Sequence, residues 1–219
     1  MYITVSLSTA PYDKLGKIVE EIDKSEADAI HIDISDASFF PPLIFGSKTI
    51  KDLRSYSKKP FDVHLAIKNP TWMIDDVADA GANSCTIQWD YCDYPRLTLD
   101  RIHRLGMKGG IAVRPKTEIP DMSYARDRFD FVIVQTTEPE PSYQFLPYMA
   151  EKIKKHKSLA RNKGLTWFMD GNINMDNLDI VIRSGVDALV IGSFITDADN
   201  IPKRVNEIKD KIREIQKNM

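Results

Sequence analysis

A chain of 219 residues with 42% hydrophobic and 28% charged side chains has the composition of an ordinary soluble protein, and it can bury a substantial core without metals or disulfides. A formal net charge of −2 excludes the broad electrostatic footprint of a nucleic-acid partner, and no segment approaches the ~20 apolar residues of a membrane span. Only two cysteines are present, Cys85 and Cys92, and the start MYITVSLS lacks the basic residues and long apolar run of a secretory signal; a reducing cytoplasm is the expected setting.

Strand-like runs recur in chain order: YITVSLS (2–8), AIHIDIS (29–35), FDVHLAI (61–67), SCTIQWD (84–90), GIAVRP (110–115), DFVIVQT (130–136), LTWFMDG (165–171) and ALVIGS (188–193). Helical periodicity fills the intervals, so the strands are expected to be parallel with helical crossovers. Eight such units in just over two hundred residues fit a closed (β/α)8 barrel, with a doubly wound open sheet as the alternative. NPTWMIDDVADAGA (69–82) opens on Asn-Pro and ends at Gly81, where a left-handed cap fits, and Gly185 makes a similar turn before the last strand. In RVNEIKDKIREIQ, Val205, Ile208, Ile212 and Ile215 form one stripe that should pack on the barrel's outside. The charged run at 151–163 reads as a solvated helix face. No linker or composition break divides residues 1–219, so a single domain is expected.

In the second run Ile30, Ile32 and Ile34 alternate with His31, Asp33 and Ser35, so a strand apolar enough for burial also carries an imidazole and a carboxylate on one face. Barrel chemistry gathers at the carboxyl ends of strands. Those ends supply His31, Asp33, His64, Gln88, Asp90 and Asp170. Two histidines and two carboxylates from three strands suit one divalent cation, which would compensate Asp33 and hold His31 neutral. Each residue alone also has a plain structural reading, a hydrogen-bonded core histidine or a turn aspartate. Two buried, unpaired carboxylates would, however, cost several kcal/mol.

IHIDISD (30–36), DVHLAIKNP (62–70), MDGNI (169–173) and VIGS (190–193) resemble, in order and spacing, the signatures of the ribulose-phosphate 3-epimerase family. The start VSLSTAPYDKLG and the AGA at 80–82 extend the resemblance over nearly the whole chain. It implies a single TIM barrel that binds one divalent metal, zinc or iron first and manganese or cobalt next, and that epimerises carbon 3 of a ketose phosphate. By position, His31, Asp33, His64 and Asp170 would ligate the metal, with Asp33 and Asp170 also acting as acid and base. Ser6, His64, Gly171, Asn172, Gly192 and Ser193 would face the substrate. A homo-oligomer taking a small sugar phosphate, with neither nucleic acid nor membrane as partner, is the implied setting.

The chain departs from that pattern in several places. Ser35 and Ala66 stand where the family has methionines, Gln88 where it has a histidine, and Arg114 where it has an asparagine. TTEPEPSYQ (136–144) replaces a glycine-rich loop, so weaker phosphate handling is expected, with Arg114 as a compensating charge. A non-catalytic or repurposed barrel with a binding or regulatory role is the alternative function. Metal-assisted aldol cleavage or decarboxylation is a third.

Overall fold

The computed structural model describes residues 1–138, 143–159 and 164–219. Eight parallel strands close into a barrel in chain order: β1 (Tyr2–Ser6), β2 (Ala29–Ser35), β3 (Phe61–Ala66), β4 (Ser84–Gln88), β5 (Lys108–Val113), β6 (Phe131–Gln135), β7 (Thr166–Asp170) and β8 (Ala188–Ile191). Closure is made by β1 against β8, with Tyr2 opposite Ala188 and Val5 opposite Ile191. The helices are α1 (Leu15–Lys24), α2 (Ser47–Leu53), α3 (Ile74–Asp79), α4 (Pro95–Arg104), α5 (Tyr148–Lys157), α6 (Leu178–Arg183), α7 (Ser193–Thr196) and α8 (Ile201–Lys217).

Alternation divides the core into two layers. Ala112, Phe131, Ile133, Phe168, Ala188 and Val190 fill part of the barrel interior as one buried cluster, while the other strand faces pack against the helices. In α8, Val205, Ile208, Ile212 and Ile215 are all buried, as their spacing predicts. Asn200 caps this helix by accepting from the Lys203 backbone N–H at 2.8 Å. Gly81 and Gly185 adopt φ of 97° and 80°, the left-handed conformation expected of them.

Two regions differ from the sequence expectation. Between β5 and β6 the connection is built from short 3-10 turns at Met122–Tyr124 and Arg126–Arg128 rather than an α-helix. Pro115 and Pro120 remove backbone donors there, and RPKTEIPDMSYARDRFD carries no apolar stripe to bury. The segment from Asn69 begins as a 3-10 turn at Pro70–Met73 and becomes α3 only at Ile74. The charged run through Leu159 is exposed or half-buried, as a solvated face should be, apart from the buried Ile153; 160–163 lie outside the described residues, as do 139–142 of the altered loop.

The strands' amino ends share a fastening. Asp28, Asn83, Asp130 and Asp187 each stand one residue before an even-numbered strand, and each side chain accepts a backbone N–H from the odd-numbered strand alongside: Ile3, Phe61, Gly109 and Trp167, at 2.8 to 2.9 Å. The opposite end is thereby left for function.

Candidate active site

His31 and Asp33 on β2 meet Asp62 and His64 on β3 in direct register, His31 beside Asp62 and Asp33 beside His64. The period of two puts all four on the inward face. Both histidines are fully withdrawn from solvent, and Asp33 is partly buried. One Asp33 oxygen, Oδ1, lies 3.2 Å from His31 Nε2 and 3.1 Å from His64 Nδ1. The other, Oδ2, accepts from the Ser6 hydroxyl of β1 at 2.9 Å.

The outward nitrogens are equally defined. His31 Nδ1 stands 2.8 Å from Asp62 Oδ2, and the Ser84 hydroxyl donates to the other oxygen of Asp62. His64 Nε2 faces Gln88 Oε1 at 3.1 Å, an orientation fixed because the Gln88 amide donates to the Ala112 carbonyl. With those N–H groups committed, His31 Nε2 and His64 Nδ1 point to a common centre. Asp170, at the end of β7, completes the cluster: ligand atoms of His31, Asp33, His64 and Asp170 lie within 4.8 Å of one another. Two imidazoles and two carboxylates, with both imidazoles oriented from behind, fit a divalent cation.

Electrostatics separates the carboxylates. Burial opposes ionisation of Asp33, but His31 and His64 more than offset it and hold the acid well below the usual carboxylate range. Burial, reinforced by the charge on Asp33, raises Asp170 to about 6. Burial alone would favour neutral His31, yet Asp33 and Asp62 lift its pKa above the ordinary value. A cation at the centre would relieve the repulsion between the carboxylates.

Above the cluster opens a cavity of about 450 Å³. Ser6, Asp33, His64, Asp170, Gly171, Asn172, Gly192 and Ser193 all line it, together with Ser35 and Ala66. Gly171 has φ of 126°, and a Cβ there would sit 2.8 Å from Thr137 Oγ1 and 2.9 Å from Thr136 Oγ1. Only glycine allows that turn.

Arg114 is placed elsewhere. Its guanidinium pairs with Asp90 at 3.4 Å and lies over the Tyr91 ring at 4.7 Å, and it does not line the cavity. Asp90 also accepts from Thr117 and belongs to this surface group rather than to the cation cluster. The opposite charges at the two strand ends satisfy each other, which removes Arg114 as a compensating charge for phosphate.

Sequence reasoning missed Asp62, Gln135 and Tyr143. The Asp62–His64 alternation carried a signal for the first, whereas the others depend on tertiary placement. Ser35 leaves less open space than its size suggests. Its hydroxyl donates to the Phe40 carbonyl at 2.7 Å, holding the loop after β2 against the mouth. Tyr143 bridges that loop and the β7 end: its hydroxyl donates to the Pro41 carbonyl at 3.1 Å, while its own carbonyl accepts from Asn172 at 3.1 Å.

Known proteins resemble this chain over nearly its whole length. The model of the ribulose-phosphate 3 epimerase family matches residues 2–196. Ribulose-phosphate 3-epimerase of Bacillus subtilis is 30% identical over 211 residues, spanning 94% of this chain and 97% of that protein. The Synechocystis protein of the same name is 29% identical over 216 residues, spanning 96% and 94%. Among solved structures, KGPDC from Streptococcus mutans superposes with a TM-score of 0.73 over 98% of each chain at 19% identity, a likeness of fold. The chain belongs to the ribulose-phosphate 3 epimerase family.

Proposed function

We propose that this chain inverts carbon 3 of a ketose phosphate, interconverting ribulose 5-phosphate and xylulose 5-phosphate or a related pair, with one divalent ion held by His31, Asp33, His64 and Asp170. The observation that carries the reading is the pairing of two partly buried carboxylates in one cluster with two buried histidines, one carboxylate held ionised and the other raised to about 6. What a divalent cation supplies when bound is positive charge against the oxyanion that develops as the carbon beside a ketone loses its proton. Zinc and iron suit the mixed nitrogen and oxygen donors, with manganese and cobalt next.

The side chains account for the rest. One of Asp33 and Asp170 removes the carbon 3 proton from one face, and the other delivers a proton to the opposite face. Ser6 donates to Asp33 Oδ2 and fixes its plane, while Asp62 and Gln88 fix the imidazoles. Gly171, Asn172, Gly192 and Ser193 form the wall suited to the phosphate end. Among the described residues no lysine or arginine lines the cavity, so the phosphate would be held by amides and hydroxyls.

Steady-state interconversion of ribulose 5-phosphate and xylulose 5-phosphate by zinc- or iron-loaded protein tests the reading. Conversion lost on chelation and restored by metal is expected. Absence of conversion on pentulose and hexulose phosphates alike, in a folded protein with full metal content, would favour the binding or regulatory alternative.

A further inference from the structure

Two walls of the cavity differ in chemistry. Gly171 and Asn172 follow β7, whereas Ala66 ends β3, and in a ring of eight strands closed in chain order β3 stands four places from β7, across the mouth. Beside Ala66 the wall is continued by Ser35, its register partner, and by Ile44, which exchanges two backbone hydrogen bonds of 3.0 Å with Ser35. Phe40 and Pro42 complete it from the loop after β2. That loop is fastened on both flanks: Phe39 stacks on Tyr91 with ring centres 3.9 Å apart, and the Pro41 carbonyl accepts from the Tyr143 hydroxyl. Ser35 has the one polar side chain of this wall, and it is occupied. Its hydroxyl donates to the Phe40 carbonyl at 2.7 Å and accepts from the Ala37 backbone N–H at 3.2 Å.

A phosphate at the Gly171 wall turns the other end of a ketose phosphate toward Phe40, a placement that rests on the reading above. A hydroxymethyl end would give up water there and meet no side-chain donor, whereas a methyl end would bury apolar surface without that cost. We propose that Phe40 is a specificity-determining residue that makes the wall opposite the phosphate end apolar, so that the chain favours a 1-deoxy ketose phosphate, with a methyl group at carbon 1, over ribulose 5-phosphate itself. The chemistry at carbon 3 is the same for both, since the cluster of β2, β3 and β7 lies beneath both walls.

The test compares ribulose 5-phosphate with its 1-deoxy analogue on zinc-loaded parent and Phe40→Gln, by calorimetric titration, with proton exchange at carbon 3 followed in parallel. Ala66→Ser serves as the second variant, because it puts a hydroxyl on the same wall from a strand rather than a loop. The parent should bind the 1-deoxy analogue about 5–100-fold more tightly, the range for a hydroxyl left without a partner. Phe40→Gln and Ala66→Ser should each erase most of that preference by weakening the 1-deoxy analogue relative to ribulose 5-phosphate, and Phe40→Leu should keep it. Equal losses for both sugars, as a loosened loop would give, or a preference unchanged in Phe40→Gln and Ala66→Ser, overturn the role of Phe40. A parent that binds ribulose 5-phosphate as tightly or more tightly overturns the apolar wall, while exchange at carbon 3 preserves the epimerase reading. A parent that neither binds nor exchanges either sugar overturns both.

Discussion

At the scale of single residues, the buried His31 is explained by its two neighbours. Asp62 receives the Nδ1 proton and directs Nε2 at the shared centre. Asp62→Ala should therefore lower metal affinity about 10–100-fold, the usual effect of removing a group behind a ligand, as measured by chelator competition. Parental affinity would deny Asp62 that role. Asp170 gives a pH prediction with a definite sign. Because its metal-free pKa is raised to about 6, a proton must leave for the cation to bind below that pH, and affinity should fall by up to about tenfold per pH unit as acid is added. His31, also raised, carries a second proton to lose, so the fall steepens toward about a hundredfold per pH unit below pH 6 and the rise in affinity continues above it. Competition titrations between pH 5 and 8 giving a flat affinity would contradict both. At Gly171, alanine would meet two threonine hydroxyls under a positive φ, so Gly171→Ala should cost on the order of 1–3 kcal/mol in urea unfolding.

At the scale of elements, the sequence was most legible where apolar periodicity was uninterrupted. All eight strands lie within or close to their expected runs, differing chiefly at the ends, because the Val/Ile-rich alternation leaves few other burials open. The end of β4 was overread: Trp89–Tyr91 is a 3-10 turn, which carries Asp90 out to Arg114. Propensity is a weak guide where a strand gives way to a turn. The side-chain fastenings at the amino ends were not visible in any pattern of apolar residues, since each depends on one Asp or Asn meeting a neighbouring strand. Asn83→Ala, which orphans the Phe61 N–H, should cost about 1 kcal/mol of stability without altering metal content, by denaturant unfolding and metal analysis. Tyr143 holds an element rather than a reacting group. Tyr143→Phe removes its bond to Pro41 and should change binding of sugar phosphate more than unfolding free energy.

At the scale of the whole molecule, the barrel assembles the cluster from three strands separated by as much as 139 positions in sequence, counting from His31 to Asp170. His31, Asp33, His64 and Asp170 were legible because strand ends converge in a barrel and because their spacing matched a known family. Gln135 and Tyr143 were not, since a polar residue at the end of an apolar run and a tyrosine in a loop have many ordinary uses. The altered loop bears on how tightly the substrate is held, while the cluster bears on whether the reaction occurs at all. Deuterium incorporation at carbon 3 of ribulose 5-phosphate, by metal-loaded parent and by metal-loaded Asp170→Asn, addresses that second question most directly. The parent should exchange the proton without carbon–carbon cleavage, and the variant, compared at full metal occupancy under excess metal, should turn over roughly 10²–10⁴-fold more slowly, the usual range for a positioned acid or base. Parental epimerisation by metal-replete Asp170→Asn, or cleavage in place of exchange, would contradict the account.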